Sequence, residues 1–289
     1  MARVRHRYEV VDGHKIFYRE AGRVDAPAVV LLHGFPSSSF MFRELIPRLA
    51  DSYRVIAPDF LGFGFSDAPS VERFNYTFDA LTDLTEELLI GLNIARYAIY
   101  VQNYGAPVGW RLALRHPESV TAIISQGGNA YDVGFVDTFW DTVRAYEREQ
   151  NSWTEAAARQ SLSLELIKWL YINGVEDESV VSPDAWNHDF ALVSRPGNDL
   201  VQLKLFCEYT SNSLLYPRLH EYFRSERPPL LAVWGRDDEV FCPAGAQAFA
   251  GDLPNAEIHL LEGGHFLLES ALDSVAPLVR KFLARHARL

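Results

Sequence analysis

The sequence predicts an α/β protein, with a mostly parallel sheet and an inserted helical domain. Three observations lead to this fold class. Short apolar segments alternate with helical segments in both end regions of the chain. The chain opens with two alternating segments around a turn dipeptide. Between Gly128 and Pro229, roughly one hundred residues lack this alternation, which is far too many for a loop in a compact domain.

The first two strands are predicted from the turn between them. Residues 8–11 and 15–18 alternate polar and apolar side chains, and they flank Asp12-Gly13. This dipeptide favours the primed turns of β-hairpins, because both of its residues tolerate a positive φ. The chain is therefore expected to begin with two antiparallel strands.

Six further segments complete a predicted sheet of eight strands. They lie at residues 28–32, 54–57, 97–101, 121–125, 230–234 and 257–261. Helical patterns occur between several of them, including residues 40–49, 244–250 and 276–285. Because buried strands that alternate with helices require right-handed crossovers, most of the sheet is expected to be parallel.

The long interruption is predicted to be an all-helical domain. Phe139, Trp140, Val143 and Tyr146 recur at helical spacing, and residues 162–170 repeat the pattern. A further helix is expected to begin at residues 182–184, where serine, proline and aspartate supply a cap, a first-turn proline and a first-turn acid. The predicted domains are a core at residues 1–128 and 229–289 and a helical cap at residues 129–228.

Charge and composition exclude several classes of function. The net charge of −11, with no basic stripe to offset it, would repel a nucleic acid. Only Cys207 and Cys242 are present, which is too few for a disulfide framework and favours a reducing compartment. The longest apolar run, residues 26–32, is too short to cross a membrane. A cytoplasmic protein is expected, and its oligomeric state stays open, a homodimer included.

Candidate chemistry is expected just after the strands, because ligands bind beyond the carboxyl ends of the strands of an open parallel sheet. Four such segments are distinctive: His-Gly-Phe-Pro at 33–36, Val-Gln-Asn-Tyr-Gly-Ala at 101–106, Trp-Gly-Arg-Asp-Asp at 234–238 and Gly-Gly-His-Phe at 263–266.

Together these segments resemble the α/β-hydrolase family, in the chain order nucleophile, acid, histidine. Residues 59–66 are similar to that family's glycine-rich loop after the fourth strand. Within the family, Gln-Asn-Tyr-Gly at 102–105 resembles the branch that uses an aspartate nucleophile. That branch contains epoxide hydrolases and haloalkane dehalogenases, so the resemblance implies an eight-stranded α/β-hydrolase sheet with a helical cap.

The resemblance also implies roles for individual residues. Asn103 stands at the nucleophile position, Asp238 matches the acid that orients the histidine, and His265 matches the general base. The backbone N–H groups of Phe35 and Tyr104 match the oxyanion hole.

Several neighbouring residues are alternatives or are expected to be structural. Asp237 competes with Asp238 for the role of orienting acid, although the family's spacing favours Asp238. His33 is expected to shape its loop, and Ser66 sits in a segment that imitates a serine elbow but lacks a following helix. The remaining histidines show no ligand spacing, so neither a metal site nor a cofactor is expected.

The mechanism implied by the resemblance proceeds through a covalent ester. A carboxylate opens an epoxide or displaces a halide, and the histidine then activates the water that hydrolyses the ester. In epoxide hydrolases, cap tyrosines protonate the leaving oxygen. Tyr171 and Tyr209 are the candidates, Tyr209 because residues 208–212 are similar to the family's second cap-tyrosine motif.

The expected substrate is a small apolar organic molecule. Haloalkane dehalogenases usually bind the halide with a tryptophan after the nucleophile, together with an asparagine after the His-Gly pair or a tryptophan of the cap. Here those positions hold Tyr104 and Phe35, which favours an epoxide hydrolase-like activity over a dehalogenase. A non-hydrolytic ligand-binding protein, or a cofactor-free lyase or isomerase that uses His265 as a base, is the alternative of another class.

Asn103 is the departure from this pattern, because a neutral amide cannot make the displacement. Three explanations stay open. The chain carries an engineered substitution of a natural aspartate and is inactive or traps its substrate; the asparagine is natural and the protein has been repurposed; or Asn103 is slowly converted to aspartate by the protein's own water-activating pair. The otherwise intact site favours the first.

Overall fold

A computed structural model of the chain describes residues 3–287 and confirms the predicted fold class. Among these residues the sheet has eight strands in the order β1-β2-β4-β3-β5-β6-β7-β8. The strands are β1 Arg5–Val11, β2 His14–Ala21, β3 Ala28–Leu32, β4 Arg54–Pro58, β5 Tyr97–Gln102, β6 Val120–Gln126, β7 Leu230–Gly235 and β8 Glu257–Leu261. The outermost residues of the predicted core domain, 1–2 and 288–289, lie outside the described part of the chain.

The sheet changes from antiparallel to parallel along its width. β1 and β2 form the predicted hairpin, with Val11 opposite His14, and β2 also pairs with β4 in antiparallel fashion. All pairs from β4 to β8 are parallel. β3, β4, β5 and β7 are buried along their full length, as expected for strands covered on both faces.

The core domain contains helices on both sides of the inserted segment. They are α1 Ile46–Leu49, α2 Phe78–Gly91, α3 Gly105–Arg115, α10 Pro243–Asp252, α11 Leu267–Ser270 and α12 Leu272–His286. The prediction of one helix over residues 40–49 was wrong in its first half. A 3₁₀ turn at Ser39–Phe42 precedes α1, and Pro47 lies in the first turn of α1. Proline lacks the N–H group and crowds the preceding turn, so the two helical pieces do not merge.

The segment between β6 and β7 is helical in the structure. It contains α4 Asp137–Arg148, α5 Ser152–Gln160, α6 Leu164–Ile172, α7 Pro183–Val193, α8 Asn198–Tyr209 and α9 Tyr216–Glu226. As predicted, α7 begins with a capping serine: the Ser182 hydroxyl accepts a hydrogen bond from the Asp184 N–H, and Pro183 is the first helical residue.

Two features are absent from residues 3–287. None of the helices there is both long and apolar enough to span a membrane. The same part of the chain contains no group of three or more His, Cys, Asp or Glu side chains that could hold a metal ion.

Candidate active site

Asn103 lies on a sharp turn between β5 and α3. Its φ angle is +48°, in the left-handed region that non-glycine residues rarely adopt. The turn requires glycine at two neighbouring positions. A Cβ atom on Gly34 would lie 2.3 Å from the Cβ of Asn103, and one on Gly105 would lie 2.0 Å from the carbonyl oxygen of Leu32. This strained turn presents the Asn103 side chain at the carboxyl end of the sheet.

The amide of Asn103 is fixed at both of its polar atoms. Its Oδ1 accepts hydrogen bonds from the backbone N–H of Phe35 at 3.1 Å and of Tyr104 at 2.8 Å. Its Nδ2 lies 3.2 Å from Nε2 of His265. The two N–H groups expected to form an oxyanion hole therefore already hold an oxygen of residue 103 itself.

His265 is oriented by Asp238. The Nδ1 atom of His265 lies 2.9 Å from Oδ2 of Asp238, and both side chains are buried. The other oxygen of Asp238 accepts hydrogen bonds from the backbone N–H groups of Val240 and Phe241, at 2.8 and 3.0 Å. Because a carboxylate is only an acceptor, Nδ1 carries the proton and Nε2 is left as the acceptor that faces Asn103. Asp237, the alternative acid, is exposed.

Two glutamines complete the surroundings of His265, and we assigned neither of them a role from the sequence. The amide nitrogen of Gln102 lies 2.9 Å from Nε2 of His265, while its Oε1 is buried with no hydrogen-bond partner among the described residues. The amide of Gln126 donates to the backbone carbonyl of His265 at 3.1 Å. Each glutamine ends a parallel strand, which was the signal available in the sequence.

A small closed cavity adjoins Asn103 beneath the cap. Its volume is about 20 Å³, room for about one water molecule. The wall is mostly apolar and combines core and cap residues: Phe35, Asn103, Tyr104, Phe139, Trp140, Val143, Ser161, Leu170 and Phe206. The indole N–H of Trp140 is already bonded to the carbonyl of Val240 at 2.8 Å, so it is not available to a ligand.

A larger surface cleft lies on the outer side of two of these wall residues. The cleft has a volume of about 360 Å³ and is formed by α4, α5, α6 and the turn between the last two. Phe139 and Ser161 line both the cleft and the buried cavity. These two side chains therefore separate the cleft from the cavity beside Asn103.

Neither cap tyrosine that the resemblance implicated lines the cavity in this arrangement. Tyr171 stacks on Phe266, with ring centroids 4.0 Å apart, and its hydroxyl donates to the buried carboxyl of Asp189. Tyr209 is buried between the rings of Tyr104 and Trp140, at centroid distances of 5.2 and 4.5 Å. Tyr209 thus lies one layer behind the cavity wall, whereas Tyr171 is engaged elsewhere.

The hydroxyl of Tyr104 is a feature that sequence reasoning missed, because the side chain was considered only as a poor halide ligand and the backbone N–H only as an oxyanion-hole donor. Tyr104 lines the cavity, and its hydroxyl is buried with no hydrogen-bond partner among residues 3–287. Burial raises the pKa of this hydroxyl well above its ordinary value, and the next contribution comes from Cys207. The hydroxyl therefore stays protonated and is an unused donor on a residue that lines the site.

His33 and Ser66 have the structural surroundings that the sequence predicted. Nε2 of the fully buried His33 accepts the backbone N–H of Phe60 at 3.0 Å, and burial lowers the pKa of His33 to about 3. The Ser66 hydroxyl donates to the carbonyl of Asp59 at 2.7 Å and accepts from the N–H of Phe17 at 2.9 Å. Both side chains fasten loops beside the site.

Comparison with known proteins identifies relatives along nearly the whole chain. The chain is 40% identical over 280 residues to an uncharacterized hydrolase of Saccharomyces cerevisiae, with 94% of each chain covered. It is 26% identical over 291 residues to a cis-3-alkyl-4-alkyloxetan-2-one decarboxylase of Shewanella oneidensis, which covers 94% of this chain and 86% of the relative.

Solved structures share the fold at lower identity. The haloalkane dehalogenase DbeA of Bradyrhizobium elkani superposes with a TM-score of 0.77 at 24% identity, covering 98% of each chain. The epoxide hydrolase CorEH gives the same TM-score at 22% identity and covers 98% of this chain and 99% of its own. Residues 27–272 match the sequence profile of the alpha/beta hydrolase fold family. With the strand-end elbow and the Asp238–His265 pair in place, the chain belongs to the α/β-hydrolase fold family.

Proposed function

We propose that this chain has the site of an epoxide hydrolase-like hydrolase, in which a carboxylate at position 103 forms an ester with a small apolar substrate, and that Asn103 stops the reaction before this step. One observation carries the proposal. The residue 103 side chain rises from a strained elbow, with one polar atom between two backbone N–H groups and the other facing Nε2 of His265. This is the geometry required for an ester at position 103 that the histidine side can hydrolyse.

With a carboxylate at position 103, each neighbour has a defined task. One carboxylate oxygen attacks an electrophilic carbon of the substrate and forms the ester. When water attacks the ester, negative charge develops on its carbonyl oxygen. The N–H groups of Phe35 and Tyr104 stabilise this charge. His265 takes the proton of that water, and Asp238 stabilises the resulting imidazolium and fixes its orientation.

With asparagine at position 103, the first of these steps stops. The nitrogen lone pair of an amide is delocalised, and its neutral oxygen is a poor nucleophile. The shape of the side chain nevertheless resembles that of aspartate, and its Oδ1 accepts the same two backbone N–H groups that a carboxylate oxygen would. The Asn103 chain is therefore expected to bind substrate without turning it over.

The leaving group of an epoxide is an alkoxide, which needs a proton. We assign the first donor to Tyr104, which lines the cavity and whose hydroxyl is buried and unpartnered within the described part of the chain. Tyr209 stacks directly behind it and supports it as a second hydroxyl. Tyr171 would have to leave Asp189 before it could take part, so it ranks third in this proposal. General acid catalysis of this kind contributes about 10²–10⁴ in rate.

Substrate entry requires the cap to move. A cavity of about 20 Å³ cannot hold a substrate, whereas ligand pockets for small molecules measure about 300–1,000 Å³. The apolar wall favours a substrate with little polarity. We propose that the molecule enters from the outer cleft by displacing Phe139 and the segment of Ser161.

The relatives point to two further classes of substrate for the same site, oxetan-2-ones and haloalkanes. The Shewanella oneidensis relative acts on an oxetan-2-one, which like an epoxide is a strained oxygen ring. A haloalkane dehalogenase of Mycobacterium marinum is 35% identical over 115 residues, 39% of this chain and 38% of its own. Haloalkanes and oxetan-2-ones therefore belong in the substrate panel, the latter as the test for a lyase.

The first experiment is Asn103→Asp, assayed with terminal epoxides, haloalkanes and alkyl oxetan-2-ones. Diol formation, halide release and carbon dioxide release are measured separately. We expect diol formation to rise by about 10⁶ over freshly purified chain in which mass spectrometry finds residue 103 still as asparagine, by analogy with removal of a triad nucleophile. The Asn103 chain is the matched control, since the two differ only in an oxygen and an NH₂ group.

A second variant makes the ester itself visible. In Asn103→Asp combined with His265→Gln, the ester should form but not hydrolyse, so mass spectrometry of the peptide that contains residue 103 should detect the adduct. An epoxide adds its whole mass, whereas a haloalkane adds only its alkyl part. If no substrate class gives an adduct or turnover while ligand binding persists, the non-hydrolytic alternative replaces the proposal.

A further inference from the structure

We propose that Asn103 is a self-modification site: His265 and the oxyanion hole hydrolyse its side-chain amide and leave an aspartate. The inference uses the elbow and histidine of the proposed function but does not depend on its substrate class. The chain would then be a precursor that generates its own nucleophile.

The geometry of Asn103 matches what amide hydrolysis requires. Its Oδ1 already accepts two backbone N–H groups, at 3.1 and 2.8 Å, so the negative charge that develops on this oxygen during attack would be stabilised without rearrangement. Its Nδ2, the leaving nitrogen, lies 3.2 Å from the Nε2 of His265. An ester at this position and the present amide differ only in the leaving atom, so one arrangement serves both reactions.

The reaction balances with water alone. Water attacks Cγ of Asn103 and gives one proton to Nε2 of His265, and the C–O bond forms. His265 passes that proton to Nδ2, the Cγ–Nδ2 bond breaks, and ammonia leaves. The new carboxylic acid loses its remaining proton to ammonia, which leaves a carboxylate and an ammonium ion. Asp238 stabilises the charged histidine between the two transfers.

The leaving group would make this conversion slower than ordinary turnover, because an amide nitrogen is a poorer leaving group than the alkoxide of an ester. Both reactions share one earlier requirement. Gln102 occupies Nε2 of His265 at 2.9 Å, so a water molecule must displace this amide before it can be activated. Oε1 of Gln102 has no hydrogen-bond partner in the described part of the chain, so nothing polar there holds that end of the side chain in place.

Uncatalysed deamidation is a different reaction with a different product. It needs the backbone nitrogen of the next residue to attack the side chain, and it gives isoaspartate as well as aspartate. The backbone nitrogen of Tyr104 instead donates its N–H to Oδ1 of Asn103 at the start of α3. Asn173, followed by Gly174, has the small neighbour that favours the uncatalysed reaction and serves as an internal reference in the same chain.

The test incubates freshly purified protein at neutral pH in ¹⁸O-labelled water and follows the peptides that contain residues 103 and 173 by mass spectrometry. We expect residue 103 to show the amide-to-acid mass change with one labelled oxygen and no isoaspartate. His265→Gln should slow this conversion by about 10² or more, as expected for loss of a general base. Asp238→Asn should slow it too, while conversion at Asn173 stays unchanged in both variants.

Two results would overturn the inference: no conversion at residue 103 in the unaltered chain, or equal conversion in folded His265→Gln protein. Thermal unfolding establishes that each variant is folded, and Asp238→Asn provides the comparison if His265→Gln is not. The encoded Asn103→Asp variant separates this inference from the proposed function. An active Asn103→Asp enzyme without conversion of Asn103 refutes only self-modification, whereas conversion that yields a protein without hydrolase activity refutes only the proposed function.

Discussion

The core side and the cap side of the site are built differently. On the core side, Asn103 and Asp238 make hydrogen bonds through both of their side-chain polar atoms. In each residue one of these atoms contacts His265 and the other accepts from the backbone. On the cap side, the contribution to the cavity is mostly hydrophobic. The cap tyrosine Tyr171 turns its hydroxyl towards Asp189, away from residue 103.

This difference separates two tasks within one site. The core positions the reacting groups at strand ends, where the backbone holds them at hydrogen-bond distances from one another. The cap supplies apolar walls and, under the proposed function, must move before a substrate can enter. In this arrangement the chemistry belongs to the core, while the choice of substrate depends on the packing of the cap helices.

The strongest test of this division compares tyrosines from the two sides in the Asn103→Asp background. Tyr104→Phe removes the donor on the core side and should lower kcat for epoxide opening by about 10²–10⁴. Tyr171→Phe should change kcat much less, because its hydroxyl is engaged by Asp189. Single-turnover measurement of ester formation is the readout.

Haloalkanes provide the control for this comparison, since a halide leaves without a proton. Tyr104→Phe should therefore reduce epoxide opening more than halide release. Tyr209→Phe keeps the ring stacked behind Tyr104 and measures the contribution of the Tyr209 hydroxyl. If Tyr171→Phe shows the largest loss, the cap supplies the acid, and the division between core and cap is wrong.

The sequence predicted the core side of the site better than the cap side, for a physical reason. Strand ends, turn glycines and chain order are local patterns, so position 103, Asp238 and His265 could be named together before the structure was known. Whether a tyrosine on a helix faces a cavity depends on how several helices pack. Tyr171 and Tyr209 were selected by motif, and helical spacing alone could not reveal the partnership with Asp189.

The two regions should also respond to pH in opposite directions. Burial lowers the pKa of His33, in the core, to about 3 and raises the pKa of Asp189, in the cap, to about 8. The unfolded chain has ordinary values near 6.5 and 3.8. His33 therefore costs stability as pH falls from 6.5 towards 3, and Asp189 costs stability as pH rises from 3.8 towards 8, each by about 1.4 kcal/mol per pH unit.

Urea unfolding between pH 5 and pH 8 tests both signs. Below pH 6.5, His33 and Asp189 change the free energy of unfolding in opposite directions, so a variant of each residue is needed to separate the two contributions. His33→Gln keeps an acceptor for the N–H of Phe60. Between pH 6.5 and pH 5, its free energy of unfolding should rise by about 2 kcal/mol relative to that of the unaltered chain. Asp189→Asn should remove the loss of about 2 kcal/mol that the unaltered chain shows between pH 6.5 and 8. Parallel pH profiles for all three proteins would contradict these assignments.

The smallest expected effect concerns the entrance. Phe139 lines both the buried cavity and the outer cleft, and its ring stacks on Trp169 with centroids 6.1 Å apart. In the Asn103→Asp background, Phe139→Ala should raise kcat/KM for bulky substrates several-fold, about 1 kcal/mol. The rate of ester formation at saturating substrate should change less, because the reacting groups all lie on the core side.

Leu166→Ala is the matched control for the entrance, because Leu166 lines the outer cleft but not the buried cavity. It removes apolar surface from the same cleft without thinning the wall in front of Asn103. If both variants change kcat/KM equally, the effect comes from general loosening of the cap. If only Phe139→Ala acts, and more strongly as the substrate grows, entry passes between the cleft and the cavity, and the cap limits which molecules reach a core-built reaction centre.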